Sequence, residues 1–206
     1  ITRDRIKASR YLSYLMREID MQAALYGGMN RVEQLHFGGG TPTYLSDEQM
    51  GELMAHLRRS FRFAPDEAGE YSIEVDPRTV SAARVHSLRR QGFNRISLGV
   101  QDFDPDVQKA VNRVQPELDT RAIIKAAREA GFRSISIDLI YGLPKQSLES
   151  MAVTIGKVIL PHSSRTVWMS EWQMPANSIS MRISSGRRSR RSIVPFSSGA
   201  SEATAW

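Results

Sequence analysis

The chain has 206 residues, 41% hydrophobic and 24% charged, with a net charge of +6 and no cysteine. That length holds the core of one domain, no run of about 18 apolar residues predicts a membrane span, and the lack of cysteine excludes disulfides, zinc–thiolate sites and cysteine-ligated iron–sulfur clusters within this stretch. Residues 162–206 carry six arginines against two glutamates; the remaining +2 is spread thinly over the first 161 residues, which argues against a phosphate-tracking stripe and against a nucleic-acid partner.

The chain opens "ITRDRIKASRYLSYLM", with neither an initiating Met nor a signal-peptide pattern, so its natural start is expected upstream. Helical periodicity runs from Arg5 to Tyr26, with Ile6, Tyr11, Leu12, Leu15, Ile19 and Ala23 near one side and Gly27-Gly28 closing it. "VEQLHF" (32–37) predicts a strand that runs into "GGGTPTYL". Ser46 then caps a helix to about Ser60, and "SDEQ" matches a capping box completed by Gln49. "YSIEV" (71–75) is a strand stopped by Asp76-Pro77, and Ser81 to Arg90 is helical. "RISLGV" (95–100) is a strand, and Asp104-Pro105 opens a short helix with proline at its first position. Leu118 to Ala130 is helical, "SISIDLI" (134–140) is a strand, "YGLPKQ" a turn, and Leu148 to Ile159 a last helix.

Strands alternating with helices predict an α/β fold with a parallel sheet. The strands read as nearly continuous apolar runs, which predicts that both faces are covered. An open doubly wound sheet and an arc of a barrel both fit. From Pro161 onward the text is rich in Ser and Arg and shows no sustained period. The expected division is therefore an α/β core over 1–160 and a tail over 161–206 that is disordered or translated out of frame.

Parallel α/β folds bind ligands where the chain leaves the carboxyl ends of the strands. The first strand delivers Gly38, Gly39, Gly40 and Thr41 there; the second, Glu74; the third, Gly99, Gln101 and Asp102; the fourth, Asp138, Tyr141 and Gly142. Arg113, in "VNRVQ", adds a cation near the same rim. Glu74 or Asp138 suits an ammonium or ribose hydroxyls, Gln101 both donates and accepts, and Arg113 suits a carboxylate. No Walker Lys-Ser/Thr follows the glycines and "GGGTP" does not match GxGxxG, so phosphate is disfavoured. Each residue also has a plain structural role open to it, as a helix cap, a loop bond or a surface ion pair. His36, His56, His86 and His162 show no metal-ligand spacing, and no metal is expected on them.

"HFGGGTPTYL", "SIEVDPR", "GFNRISLGVQDFDPDVQKAVNR" and "IDLIYGLPKQ", in this order and spacing, resemble the oxygen-independent coproporphyrinogen III oxidases, radical S-adenosylmethionine (SAM) enzymes of haem biosynthesis. The resemblance covers about Arg3 to Ile159. A related haem chaperone, a non-enzymatic haem carrier, typically reads "GVQS" and "GLPGQ", so Asp102 and Lys145 favour the oxidase over that alternative. The resemblance implies a partial parallel (β/α) barrel with SAM and a [4Fe–4S] cluster at its strand ends. It implies hydrogen abstraction by a 5′-deoxyadenosyl radical from propionates of coproporphyrinogen III, with oxidative decarboxylation to protoporphyrinogen IX. Gly39, Gly40 and Thr41 would lie along the methionine end of SAM, and Glu74, Gln101, Arg113 and Asp138 match the other SAM-contacting positions. An electron donor, a cytoplasmic location and a monomeric state are also implied; catalytic residues are not.

The family's CxxxCxxC loop is absent, and with no thiolate to hold a cluster the chain as written is expected to be inactive. The part that completes the barrel is expected to be missing as well. A cut barrel is expected to expose sheet edges and apolar interior, and so to be poorly soluble.

Overall fold

The computed structural model describes residues 5–26, 31–159, 178–184 and 192–197. In α1 (Arg5–Tyr26), Ala8, Leu12, Leu15 and Ile19 recur three or four residues apart, and all four are buried, as one stripe of a helix must be. The chain then enters β1 (Arg31–Phe37), a short 3-10 turn at Pro42–Tyr44, and α2 (Asp47–Ser60). The expected capping box is present: Ser46 Oγ accepts from the Gln49 amide at 3.2 Å and Gln49 Oε1 accepts from the Ser46 amide at 3.1 Å.

The strands β2 (Arg62–Phe63), β3 (Glu70–Val75), β4 (Arg95–Gln101) and β5 (Ser134–Leu139) follow. They are separated by α3 (Ala82–Arg90), α4 (Pro105–Ala110) and α5 (Glu117–Glu129), and α6 (Leu148–Ile159) comes after β5. Ser81 and Asp104 cap α3 and α4 through their side chains, as their positions predict.

β1, β3, β4 and β5 pair in parallel, side by side and in chain order, and β2 extends the pairing of β1 at Arg31 and Val32. A doubly wound sheet reverses direction at a switch point. This one does not, and a sequential parallel order is that of a barrel arc. The two-residue β2 is too short to show any period in the sequence.

The strands are one-sided, which corrects the expectation that both faces are covered. Leu35 and Phe37, Tyr71, Ile73 and Val75, Ile96, Leu98 and Val100, and Ile137 are buried on one face, in the same core cluster as the helix stripes. The residues between them are His36, Ser72, Glu74, Arg95, Ser97, Gly99, Ser136 and Asp138, all half-buried. Registers pair like with like: His36 with Ser72, Glu74 with Ser97, Gly99 with Asp138. The face turned away from the helices is therefore polar, and the expected apolar barrel interior is absent from the described strands.

After α6 the description resumes at β6 (Ser178–Ser184), antiparallel to β1, and β7 (Ser192–Ser197), antiparallel to β6. These two segments differ from the expected absence of regular structure; the rest of 160–206 lies outside the described residues. The signal overlooked in β6 is strict alternation, Ile179, Met181 and Ile183 with Ser178, Ser180 and Arg182 between them. β6 occupies the edge that β1 would otherwise expose. Pro195 sits on the outer strand, where a missing N–H is tolerated.

The end of the sheet opposite the strand exits is fastened by Asn94, 1% exposed. Its Oδ1 accepts from the Tyr71 amide at 2.8 Å, and its Nδ2 donates to the carbonyls of Gly69 at 2.9 Å and Asp66 at 3.1 Å. Its own carbonyl accepts from the Arg133 amide at 2.8 Å. The side chain thus joins the loop before β3 and the first residues of β3 to the start of β4, and the main-chain carbonyl adds the start of β5. Asn94→Ala strands those buried groups and should cost about 2–3 kcal/mol in urea unfolding, at one to a few kcal/mol for a broken buried network; an unchanged midpoint would contradict this role.

Candidate functional site

The exit of β1 meets that of β3 through a carboxylate. Glu74 Oε2 accepts from the Gly39 amide at 3.0 Å, and Glu74 Oε1 lies 3.2 Å from His36 Nε2. The hydrogen bond from His36 holds the Glu74 carboxyl below its ordinary value; burial opposes this, and the Gly39 N–H and the charge of His36 assist. Glu74 is ionised at neutral pH, and its side chain keeps 38% of its exposure, so the carboxylate is held by the protein yet reachable.

The three glycines have separate physical reasons. A Cβ on Gly38 would collide with His36 Nε2 and stand 2.9 Å from Glu74 Oε1, so the first glycine makes room for that contact. Gly39 (φ 72°) and Gly40 (φ 49°) occupy the left-handed region, which side chains resist. Thr41 follows as the residue before the 3-10 turn; its carbonyl accepts from the Tyr44 amide, and its side chain makes no capping bond.

At the β4 exit the register slips between Gly99 and Gln101. Gln101 takes φ 72°, a left-handed conformation that costs a side-chain-bearing residue on the order of 1–3 kcal/mol and marks a position held for a purpose. A Cβ on Gly99 would press on Arg113 Nη2 and Gln101 Nε2, each 3.3 Å away, so this glycine lets the two side chains converge. Arg113 Nη2 donates to the Gly99 carbonyl at 2.8 Å and lies 3.5 Å from Asp76 Oδ1. Burial lowers the Arg113 pKa, and the Asp76 charge partly offsets it. Burial likewise raises the Asp76 pKa, but the bonds from Arg78 and the charge of Arg113 outweigh it and leave the carboxyl below its ordinary value.

Gln101 Oε1 and Arg113 Nε are buried without a hydrogen-bond partner among the described residues. Buried polar groups are ordinarily satisfied, so an unmet acceptor beside an unmet donor suits a ligand that supplies the complements. Asp138, in register with Gly99, accepts from Ser97 Oγ at 2.7 Å. The structure thus gathers the expected residues into a Glu74–Gly39 group, a Gln101–Arg113 group and Asp138, joined across the sheet by Ser97. His36, Ser72, Asp76 and Ser97 were missed as site residues. Their signal was parity: each is two residues from an exit residue, or paired with one.

Asp102 and Lys145, which favoured the oxidase in the sequence, do other work. Asp102 is 1% exposed. Its Oδ1 accepts from Thr154 Oγ1 and the Asp104 amide, and its Oδ2 from Gln146 Nε2. Burial pushes the carboxyl up, but these bonds and the Phe103 amide outweigh it and hold it low. Lys145 is exposed at φ 65°; glycine enters that region freely, so the Lys/Gly difference is one of backbone preference. Both residues shape the 140–147 loop and its helix.

Among the described residues, no group of three or more His, Cys, Asp or Glu is placed to hold a metal, and no helix is long and apolar enough to cross a membrane.

The sequence signature of the Radical SAM superfamily matches residues 3–158. The chain is similar to the oxygen-independent coproporphyrinogen III oxidase of Pseudomonas aeruginosa, 52% identical over 159 residues, covering 77% of this chain and 35% of the relative. It is also similar to that of Escherichia coli, 51% identical over 158 residues, covering 77% and 34%. The solved coproporphyrinogen III oxidase of Escherichia coli superposes with a TM-score of 0.72 at 50% identity, over 76% of this chain and 36% of that one. A radical SAM methyltransferase of Kitasatospora setae, at 13% identity and a TM-score of 0.54 over 72% and 28%, shares the fold alone. The chain spans about a third of the length of the curated relatives it matches.

Asp102 stabilises the fold while ionised: its folded pKa lies below the unfolded value, so its contribution is present above the ordinary carboxylate range and is lost as pH falls through the folded value. Asp102→Asn should abolish that acid-sensitive component and, by turning an acceptor into a competing donor, cost about 2–4 kcal/mol. Amide hydrogen exchange over residues 140–159 should rise first; uniform exchange across the sheet would contradict a local role.

Proposed function

Because the chain belongs to the Radical SAM superfamily, we propose that it is the SAM-cradling part of an oxygen-independent coproporphyrinogen III oxidase. In this reading residues 1–160 form the core and 161–206 an appended segment. The observation that carries it is the unmet pair at the β4 exit, Gln101 Oε1 and Arg113 Nε, on the same polar sheet face as the ionised Glu74. An amino acid joined to a ribose matches these groups: a carboxylate for the unmet Arg113 Nε, a hydroxyl for the unmet Gln101 Oε1, an ammonium for the exposed side of Glu74 and a further hydroxyl for Asp138. Gly39, Gly40 and Thr41 present backbone along the methionine end. In the whole protein, SAM bound beside a reduced [4Fe–4S] cluster would supply the radical chemistry for oxidative decarboxylation of the propionates of coproporphyrinogen III to protoporphyrinogen IX.

The residues of this chain do not fit the cluster, since it has no cysteine. The whole protein would draw its electron through an external donor and work as a cytoplasmic monomer. The role of this chain is to bind and orient: Glu74 fixes one end of the ligand, Arg113 the charge beside it, and the helices behind the sheet keep water from its back.

Two results check this. Calorimetric titration should show SAM binding that Glu74→Gln or Arg113→Gln weakens at least about tenfold, the scale of a lost charge-assisted hydrogen bond; unaltered affinity in both would contradict the assignment. Anaerobic reconstitution with iron and sulfide should give neither a [4Fe–4S] absorbance nor 5′-deoxyadenosine, and the appearance of both would refute the expected inactivity. Haem binding that Glu74→Gln leaves untouched, without SAM binding, would favour the chaperone alternative.

A further inference from the structure

Behind Glu74 stands a chain of hydrogen bonds that no ligand contact requires. His36 Nε2 faces Glu74 Oε1 at 3.2 Å, while His36 Nδ1 lies 2.7 Å from Ser72 Oγ, and Ser72 Oγ lies 3.3 Å from the Leu35 carbonyl. The arrangement is set by register: His36 on β1 pairs with Ser72 on β3, and Glu74 is the next residue of β3 on the same face.

The Ser72 hydroxyl is the one group in this chain that both donates and accepts by rotation. With His36 neutral, Ser72 donates to Nδ1, which places the ring proton on Nε2, where it is donated to Glu74. With His36 protonated, Nδ1–H donates to Ser72, and the hydroxyl turns to donate to the Leu35 carbonyl. Nε2–H points at Glu74 in both states. The Glu74 carboxylate, which can only accept, favours the same tautomer from the other side of the ring, and the Ser72 hydroxyl at Nδ1 reinforces it and fixes the ring's orientation.

We propose that His36 and Ser72 are positioning residues that keep the Glu74 carboxylate aimed at the ligand's ammonium in both charge states of the imidazole. The inference rests on Glu74 being the ammonium acceptor. The glycine at 38 belongs to the same device, because a Cβ there would part His36 from Glu74. The charged groups sharing this face are Glu70, paired with Arg95 at 2.7 Å, Asp76, paired with Arg78 at 2.7 Å and with Arg113 at 3.5 Å, and Asp138, bonded by Ser97. Each has its own partner, and none lies between His36 and Glu74 in the hydrogen-bond chain.

The test uses the full chain with His36→Gln, His36→Asn and His36→Leu, SAM titration at pH 6 and pH 8, and the carboxylate carbon signal of Glu74 followed by NMR. Gln places an amide N–H near the position of Nε2, Asn reaches only toward Ser72, and Leu does neither. Wild type should bind equally at both pH values, within about threefold, and His36→Gln should remain near it. His36→Asn and His36→Leu should each lose about tenfold or more, the scale of a hydrogen bond to a charged group, and Glu74 should titrate at higher pH in both. If both bind like wild type and the Glu74 titration does not move, the positioning role is overturned. Glu74→Gln separates the two ways of failing. Binding equal to wild type overturns the ligand assignment; weakened binding in Glu74→Gln with none in His36→Leu overturns the positioning alone.

Discussion

The two-residue period of four parallel strands is the constraint on which the rest of the molecule depends. Successive side chains of a strand point to opposite faces, and parallel registers align those faces across the sheet. Because β1 from Gln34 onward, β3, β4 and β5 are in phase, the apolar positions there face the helices and the polar ones face away. A slip of one residue in any strand would bury Glu74, Ser97 or Asp138 among the helices and push Ile73, Leu98 or Ile137 into the site. Core and site are therefore specified by the same alternation, and neither can be lost alone.

This phase explains what was legible in the sequence and what was not. The helices were readable because caps and stripes are local: the Ser46–Gln49 box and the run Ala8, Leu12, Leu15, Ile19 lie within a few residues of one another. The rim residues were readable because they sit where strands end, a position that Pro, Gly and Asp mark in the text. The character of the two sheet faces was misread. Ser and Gly in "SISIDLI" and "RISLGV" are small enough for such strands to pass as continuous apolar runs, so the alternation went unnoticed. His36 was weighed only as a metal ligand. Its partners, Ser72 and Glu74, lie 36 and 38 residues away and come beside it only through strand register.

Asp102 and Lys145 show a different limit. They separate two related sequence patterns, yet the structure places one in a buried loop anchor and the other on an exposed left-handed turn. A residue that distinguishes relatives need not touch what distinguishes their activities. Gln101 and Arg113 are the opposite case: the text leaves each a plain structural role beside a binding one, but their unmet polar atoms and the strained backbone at Gln101 mark the place where the fold accepts a local cost. Such costs gather where a ligand is to be met.

The anchor at Asp102 also makes the end of the described core a lever. Thr154, on α6, and Gln146, in the loop before it, both bond the carboxylate of the residue that follows Gln101. A pull on the chain beyond residue 159 would thus reach the β4 exit through α6 and a single carboxylate, with no soft loop in series. Gln101 and α6 are tied together through one carboxylate.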